Sequence, residues 1–375
     1  MTRLRSSPSF WLGSLLATLA LACQDSTAPD SPLPSVEAEP EESAPSLPEP
    51  AALVDRTHWA DGYVWANNPF AASYTPSSAF SFNRTGGAVQ ITKPAGTTGR
   101  YLVKFAGLSA FLGTKSTLHT TGYNADDTYC KPARAYLVND TVEVRCFQAS
   151  TGAAVNAVFT VLVLRKSTRL AFAHAHQPTA TNYTPQAKGS WNPGGAIQVF
   201  RDGVGYYRLN FSGVRAAMLS SSGNGGHVQV SAVGKGKQYC KVFGWAADVV
   251  NVRCYTQAGT QVDTKFNVLI LAPSNHLAYA FADQPDASHT SDPLYSSNPT
   301  GGAIYITRSG RGLYTVSWTG IESNLLDGGN VQVTVYASDN AQCKVSHWGG
   351  ASAFVRCFYP NGALVDARYT VLLGS

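Results

Sequence analysis

One pattern occurs three times in this chain, and that repetition constrains the fold more than any other feature. Residues 129–164, 239–271 and 342–373 each open on Cys-Lys and reach Arg-Cys-aromatic 13 to 15 residues later. Each then passes a Gly turn and closes on an aromatic-x-Val-Leu strand. The copies begin well before the cysteines. "YVWANNP" at 63–69, "FAHAHQP" at 172–178 and "YAFADQP" at 279–285 lie 109 and 107 residues apart. Between them and the cysteines run Gly-Gly turns after Asn83, Asn192 and Asn298, then a Gly-x-Tyr strand. "GGHVQVSA" and "GGNVQVTV" follow in the second and third copies, against a diverged "KSTLHTTG" in the first. The copies therefore span 56–166, 167–273 and 274–375 with no linker between them, as in tandem-repeat architectures.

The local pattern is that of strands. Val250, Val252 and Cys254 alternate with Asn251, Arg253 and Tyr255, a period of two with one buried face. The closing strand differs, since Phe266, Val268 and Ile270 face one way and Leu269 and Leu271 the other. Strands apolar on both faces should be covered on both. With 34 Gly, only 14% charged residues and many β-branched and aromatic side chains, the chain reads as all-β and antiparallel. Each copy is expected to form two four-stranded sheets. A six-bladed β-propeller-like ring accounts for the two-sided strands and absent linkers, whereas three β-sandwich domains in a row account for the alternating middle strands.

The seven cysteines sort by position. Cys130 with Cys146, Cys240 with Cys254 and Cys343 with Cys357 stand at equivalent places, spaced to face each other across adjacent antiparallel strands. Disulfides and an exported protein follow. Cys23 remains, at the end of a leader with Arg3 and Arg5 in front and an apolar run to Ala22. "ALAC" at 20–23 resembles the lipobox of bacterial lipoproteins, with Ala20 in place of the usual Leu. Lipidation of Cys23 is the expectation, and ordinary cleavage with free secretion the alternative. Residues 23–55 carry seven Pro, eight Asp or Glu and no Lys or Arg, a tether that cannot bury enough apolar surface to fold. Removing Arg3, Arg5 and those eight acids leaves 26 basic against 15 acidic residues, a net charge of +11 on the folded part. Such a head attracts anionic polymers. No Lys/Arg run of the nucleic-acid type occurs.

The GGAI, Gly-x-Gly-x-Tyr, Cys-Lys and Val-Arg-Cys series resembles a repeat carried by uncharacterised secreted or lipid-anchored bacterial proteins, over Tyr63 to the C-terminus. The resemblance implies export and β structure and carries over no functional residues.

Chemistry is sparse. Asp263, Asp366 and Asn156 follow the Gly turn, where an Asx side chain bonds turn backbone. His174 and His176 share a strand face as half a metal site, but the other copies have Trp65 and Asn67, or Phe281 and Asp283, there; no metal, cofactor or catalytic residue is assigned. Trp245, Trp348, Tyr136 and Trp191 are the binding candidates, because a flat ring beside polar groups suits the apolar face of a sugar. Packing between sheets is the competing role for the same rings. The expected function is non-enzymatic binding or adhesion at the cell surface. The partner is a glycan or anionic surface polymer, with the lipid anchor as the only membrane contact and the protein a monomer. A polysaccharide hydrolase and a structural envelope protein are the alternatives.

Overall fold

The computed structural model describes residues 59–219, 225–246, 248–321 and 328–374. The leader, Cys23 and the tether lie outside the described residues. Within them the protein is all-β, no sheet closes into a barrel, and no helix is long and apolar enough to cross a membrane.

The strands of copies 2 and 3 divide three and five, and copy 1 adds Ser81–Asn83 at the edge of its small sheet beside Gly62–Ala66, where two four-stranded sheets of consecutive strands were expected in each copy. In copy 2, Lys265–Leu271 lies between Leu170–Ala175 and His227–Val233. The second sheet runs Asn182–Tyr183, Ile197–Gly203, Tyr206–Phe211, Val249–Tyr255, Tyr239–Ala246. Copies 1 and 3 pair equivalent strands in the same order. The closing strand takes the middle of the three-stranded sheet because both its faces are apolar. Phe266, Val268 and Ile270 join Val199, Leu209 and Val252 in a core shared with the five-stranded sheet. Leu269 and Leu271 turn the other way and meet Leu162 and Leu164 of copy 1 and Leu277, Tyr279 and Leu372 of copy 3. The backs of the three small sheets thus cover one another.

The recurring motif residues hold each copy together. Asn83, Asn192 and Asn298 each donate from Nδ2 to two backbone carbonyls across the Gly-Gly turn, at 2.8 to 3.1 Å. A Cβ on the second glycine of that turn in copy 1 or 3 would lie 2.3 Å from Ala106 O or 2.1 Å from Thr319 O. The tyrosines of the next strand, Tyr101, Tyr207 and Tyr314, donate to the carbonyls of Pro69, Pro178 and Pro285. The Asx residues bond turn backbone. Asp263 and Asp366 accept from the amides of Gly205 (2.9 Å) and Gly312 (2.8 Å) and pair with Arg201 and Arg308, while Asn156 accepts from Gly99 at 3.0 Å.

Three disulfides join Cys130–Cys146, Cys240–Cys254 and Cys343–Cys357, each between directly opposed residues with Cα atoms 4.0 to 4.1 Å apart. They fit an extracellular environment.

Each five-stranded sheet hands on to the small sheet of the next copy. Gly234 N donates to Pro132 O at 3.0 Å, Ala337 N to Val242 O at 3.1 Å and Asn124 N to Val345 O at 3.1 Å. Copy 1 is linked to copy 2, copy 2 to copy 3 and copy 3 back to copy 1, a closed cycle. At its centre lie buried polar side chains that alternate with the core residues of the small sheets. Thr121 donates to Gln332 (2.8 Å) and Thr334 to Gln229 (2.6 Å), and Ser231 Oγ lies 3.2 Å from His119 Nδ1. Burial pulls the imidazoles of His119 and His227 down to about 3, so both are neutral.

Candidate functional site

The three junctions between copies are built from equivalent positions, and one of them departs from the others. Where copy 3 meets copy 1, Trp348 packs against Trp65, Phe80 and Tyr123 with ring centroids 5.2 to 5.9 Å apart. Where copy 2 meets copy 3, Trp245 packs against Phe281, Tyr295 and Tyr336 at 5.0 to 5.5 Å. Four edge-to-face rings close each seam, a favoured aromatic geometry. Trp348 is 6% exposed, and its indole N–H donates to Gly328 O; that of Trp245 donates to Gly225 O. Trp348 is thus buried and Trp245 half-buried, each held by the rings of its seam.

Between copy 1 and copy 2, Tyr136 stands near the place of the tryptophan and His174, Gly189 and Val233 at the places of its partners, so the aromatic plug is largely gone. A Cβ on Gly189 would lie 3.3 Å from Tyr136 Cδ1 and 3.4 Å from His174 Cβ, so the glycine lets the two segments close together. His174 turns inward, with Nδ1 3.0 Å from Asn267 Oδ1, and burial lowers its imidazole to about 4. His176 lies against Tyr183 and Gln177. Among the described residues no third ligand joins the two histidines in a metal-sized group.

What replaces the plug is a basic, ring-lined surface. Gly189 N donates to Thr114 O at 3.1 Å, and a hollow opens on either side of this link. One, of about 400 Å³, is bordered by the short helix Leu108–Leu112, Tyr136 and Lys188; the other, of about 240 Å³, by Lys115, Pro185 and Trp191. Lys188 Nζ stands 4.3 Å from the centre of the Tyr136 ring. Over the Trp191 ring stand Lys115 Nζ at 4.8 Å and Lys166 Nζ at 5.5 Å. Trp191 itself is fixed, since its indole N–H donates to Ser167 O at 2.8 Å and its backbone pairs with Phe172. Both linings contain lysine and no carboxylate.

Sequence reasoning found Tyr136 and Trp191 as rings and missed the lysines, which lie in segments far apart in sequence. Of the four candidates the fold brings these two to one junction and leaves Trp245 and Trp348 in separate seams. A larger hollow of about 910 Å³ opens where the turns after the cysteine strands converge, between Gln257, Asp339 and Tyr359. Its polar groups serve the joints between copies. Gln257 donates to Ala149 O, and Asp339 accepts from the buried ammonium of Lys241 at 2.6 Å. Compared with family models, curated proteins and solved structures, the chain gives no match in any of the three.

Proposed function

We propose that this is a non-enzymatic binding or adhesion protein of the cell surface whose ligand is a glycan or anionic surface polymer, held at the junction of copies 1 and 2. The observation that carries the reading is the lysine-flanked pair of rings, Trp191 and Tyr136, at the one seam that is not plugged. Exposed cation–π contacts are worth about 0.5–1 kcal/mol, so the lysine heads can swing aside at little cost. A sugar ring can then lie on the aromatic face while its acidic substituent takes the ammonium. In the same reading the three copies are tandem repeats. Each is a two-sheet sandwich rather than a pair of propeller blades, because the facing sheets of one copy share one core. Export, through a lipid on Cys23 or by free secretion, agrees with the disulfides and with the resemblance to lipid-anchored bacterial repeat proteins.

The test is a glycan array and polysaccharide pull-down with the oxidised full chain at low and physiological salt. Trp191→Ala should abolish binding, Tyr136→Ala should weaken it, and Lys115→Gln with Lys166→Gln should remove the preference for acidic over neutral sugars. Binding that is absent, or indifferent to all these changes, would sink the proposal.

A further inference from the structure

The lysine that follows the first cysteine of each pair is buried in all three copies: Lys131, Lys241 and Lys344 are 3%, 0% and 1% exposed. Each reaches across the seam into the next copy. Lys241 Nζ finds the carboxylate of Asp339 at 2.6 Å, and Lys344 that of Asp126. Lys131 finds only carbonyl oxygens, Gly236 O at 2.9 Å and Gln238 O at 2.8 Å, because Gly236 occupies the position of Asp126 and Asp339. Two of the three ammoniums are neutralised and the third is not. A buried charge without a counter-charge costs several kcal/mol, which is why such groups are found paired or shed their charge.

A second departure from the repeat lies beside the first. Tyr129 and Tyr239 precede their cysteines and send their hydroxyls across the seam to Lys237 O and Asn340 O; copy 3 has Gln342 there. The amide is shorter than a phenol ring, and a cavity of about 60 Å³ lies at the meeting point of the three copies, lined by Lys131, Lys344, Gln342 and Thr120 among others. Gln342 Nε2 and Thr120 Oγ1 are buried and have no hydrogen-bond partner among the described residues. The lining therefore brings together a lysine that has no carboxylate partner and two side chains, Gln342 and Thr120, whose polar atoms lack partners. The cavity offers more space than a single water molecule needs. It admits a monatomic anion.

We infer that this central cavity is a halide site, in which the anion supplies the counter-charge to Lys131 that Asp339 and Asp126 supply to the other two lysines and ties the three copies together at their common centre. The site is independent of the surface hollows and of whatever they bind.

The experiment is thermal unfolding of the oxidised full chain in rising sodium bromide, against sodium gluconate of equal ionic strength. Measurement at pH 6 keeps Lys131 protonated, since burial lowers its amine to about 7. Bromide should raise the midpoint by about 2–5 °C and saturate, as ligand linkage requires. Gly236→Asp, which restores the missing carboxylate, should abolish that increment. A Cβ at Gly236 meets only the flexible end of Gln238, and the residue needs no left-handed backbone, so the variant is compatible with the fold. Anomalous diffraction from a bromide-soaked crystal should place a peak between Lys131 and Gln342. Equal effects of bromide and gluconate, an undiminished bromide effect in Gly236→Asp, or a cavity without an anomalous peak would each overturn the assignment.

Discussion

Acidification from pH 7 to pH 5 should weaken the protein through the two histidines at its centre. His119 and His227 are 1% and 0% exposed. His119 lies between Thr117 and Ser231, and His227 is bonded to Gln229 with the His119 ring as its titratable neighbour. Their folded pKa of about 3 lies below the unfolded value of about 6.5. Between those values the unfolded chain binds protons that the folded chain refuses, so stability falls as pH drops through 6.5 and goes on falling toward 3. Well above pH 6.5 both states are neutral and nothing changes. At pH 5 the difference amounts to about 2 kcal/mol for each histidine. The other copies supply the control. Gln229 and Gln332 stand at the position of His119, and Asn330 at that of His227, so His119→Gln with His227→Asn keeps hydrogen-bonding side chains of the kind this site already holds. Urea unfolding at pH 5 and pH 7 should show the parent losing about 4 kcal/mol more than the double variant. Equal losses in the two proteins would refute the reasoning. His174, lowered to about 4, contributes to both and cancels.

Two further outcomes follow from the packing. Trp348→Ala empties a four-ring seam and should destabilise by about 3–5 kcal/mol without altering ligand binding at the other junction; loss of binding with unchanged stability would contradict its placement. Replacing Cys240 and Cys254 together with Ala should cost about 3 kcal/mol by loop-closure entropy, measured as a lower denaturation midpoint under oxidising conditions and no difference after reduction.

The features legible in the sequence were those a strand carries within itself or repeats from copy to copy. The cysteine pairs were readable because each pair stands at one place in three copies. The Asx residues after the Gly turns bond backbone as turn chemistry requires. The two-sided closing strand announced that it would be covered on both faces, and it became the middle strand of the small sheet. The candidate site was only half visible. Trp191 and Tyr136 stood out as rings, but Lys115, Lys166 and Lys188 become their neighbours only when copies 1 and 2 close on each other.

The sequence alone determined three copies of one strand pattern, their turns and their disulfides. Tertiary structure alone decided what covers the second face of each strand. His119, Gln229 and Gln332 alternate with core residues, and all three are 1% exposed because those faces meet one another at the centre. A period of two reveals that a strand has two sides and is silent on what lies against the second. For the same reason the unpaired charge on Lys131 is invisible in copy 1 itself, since the residue that could neutralise it belongs to the next copy, where two seams place an aspartate and the third a glycine.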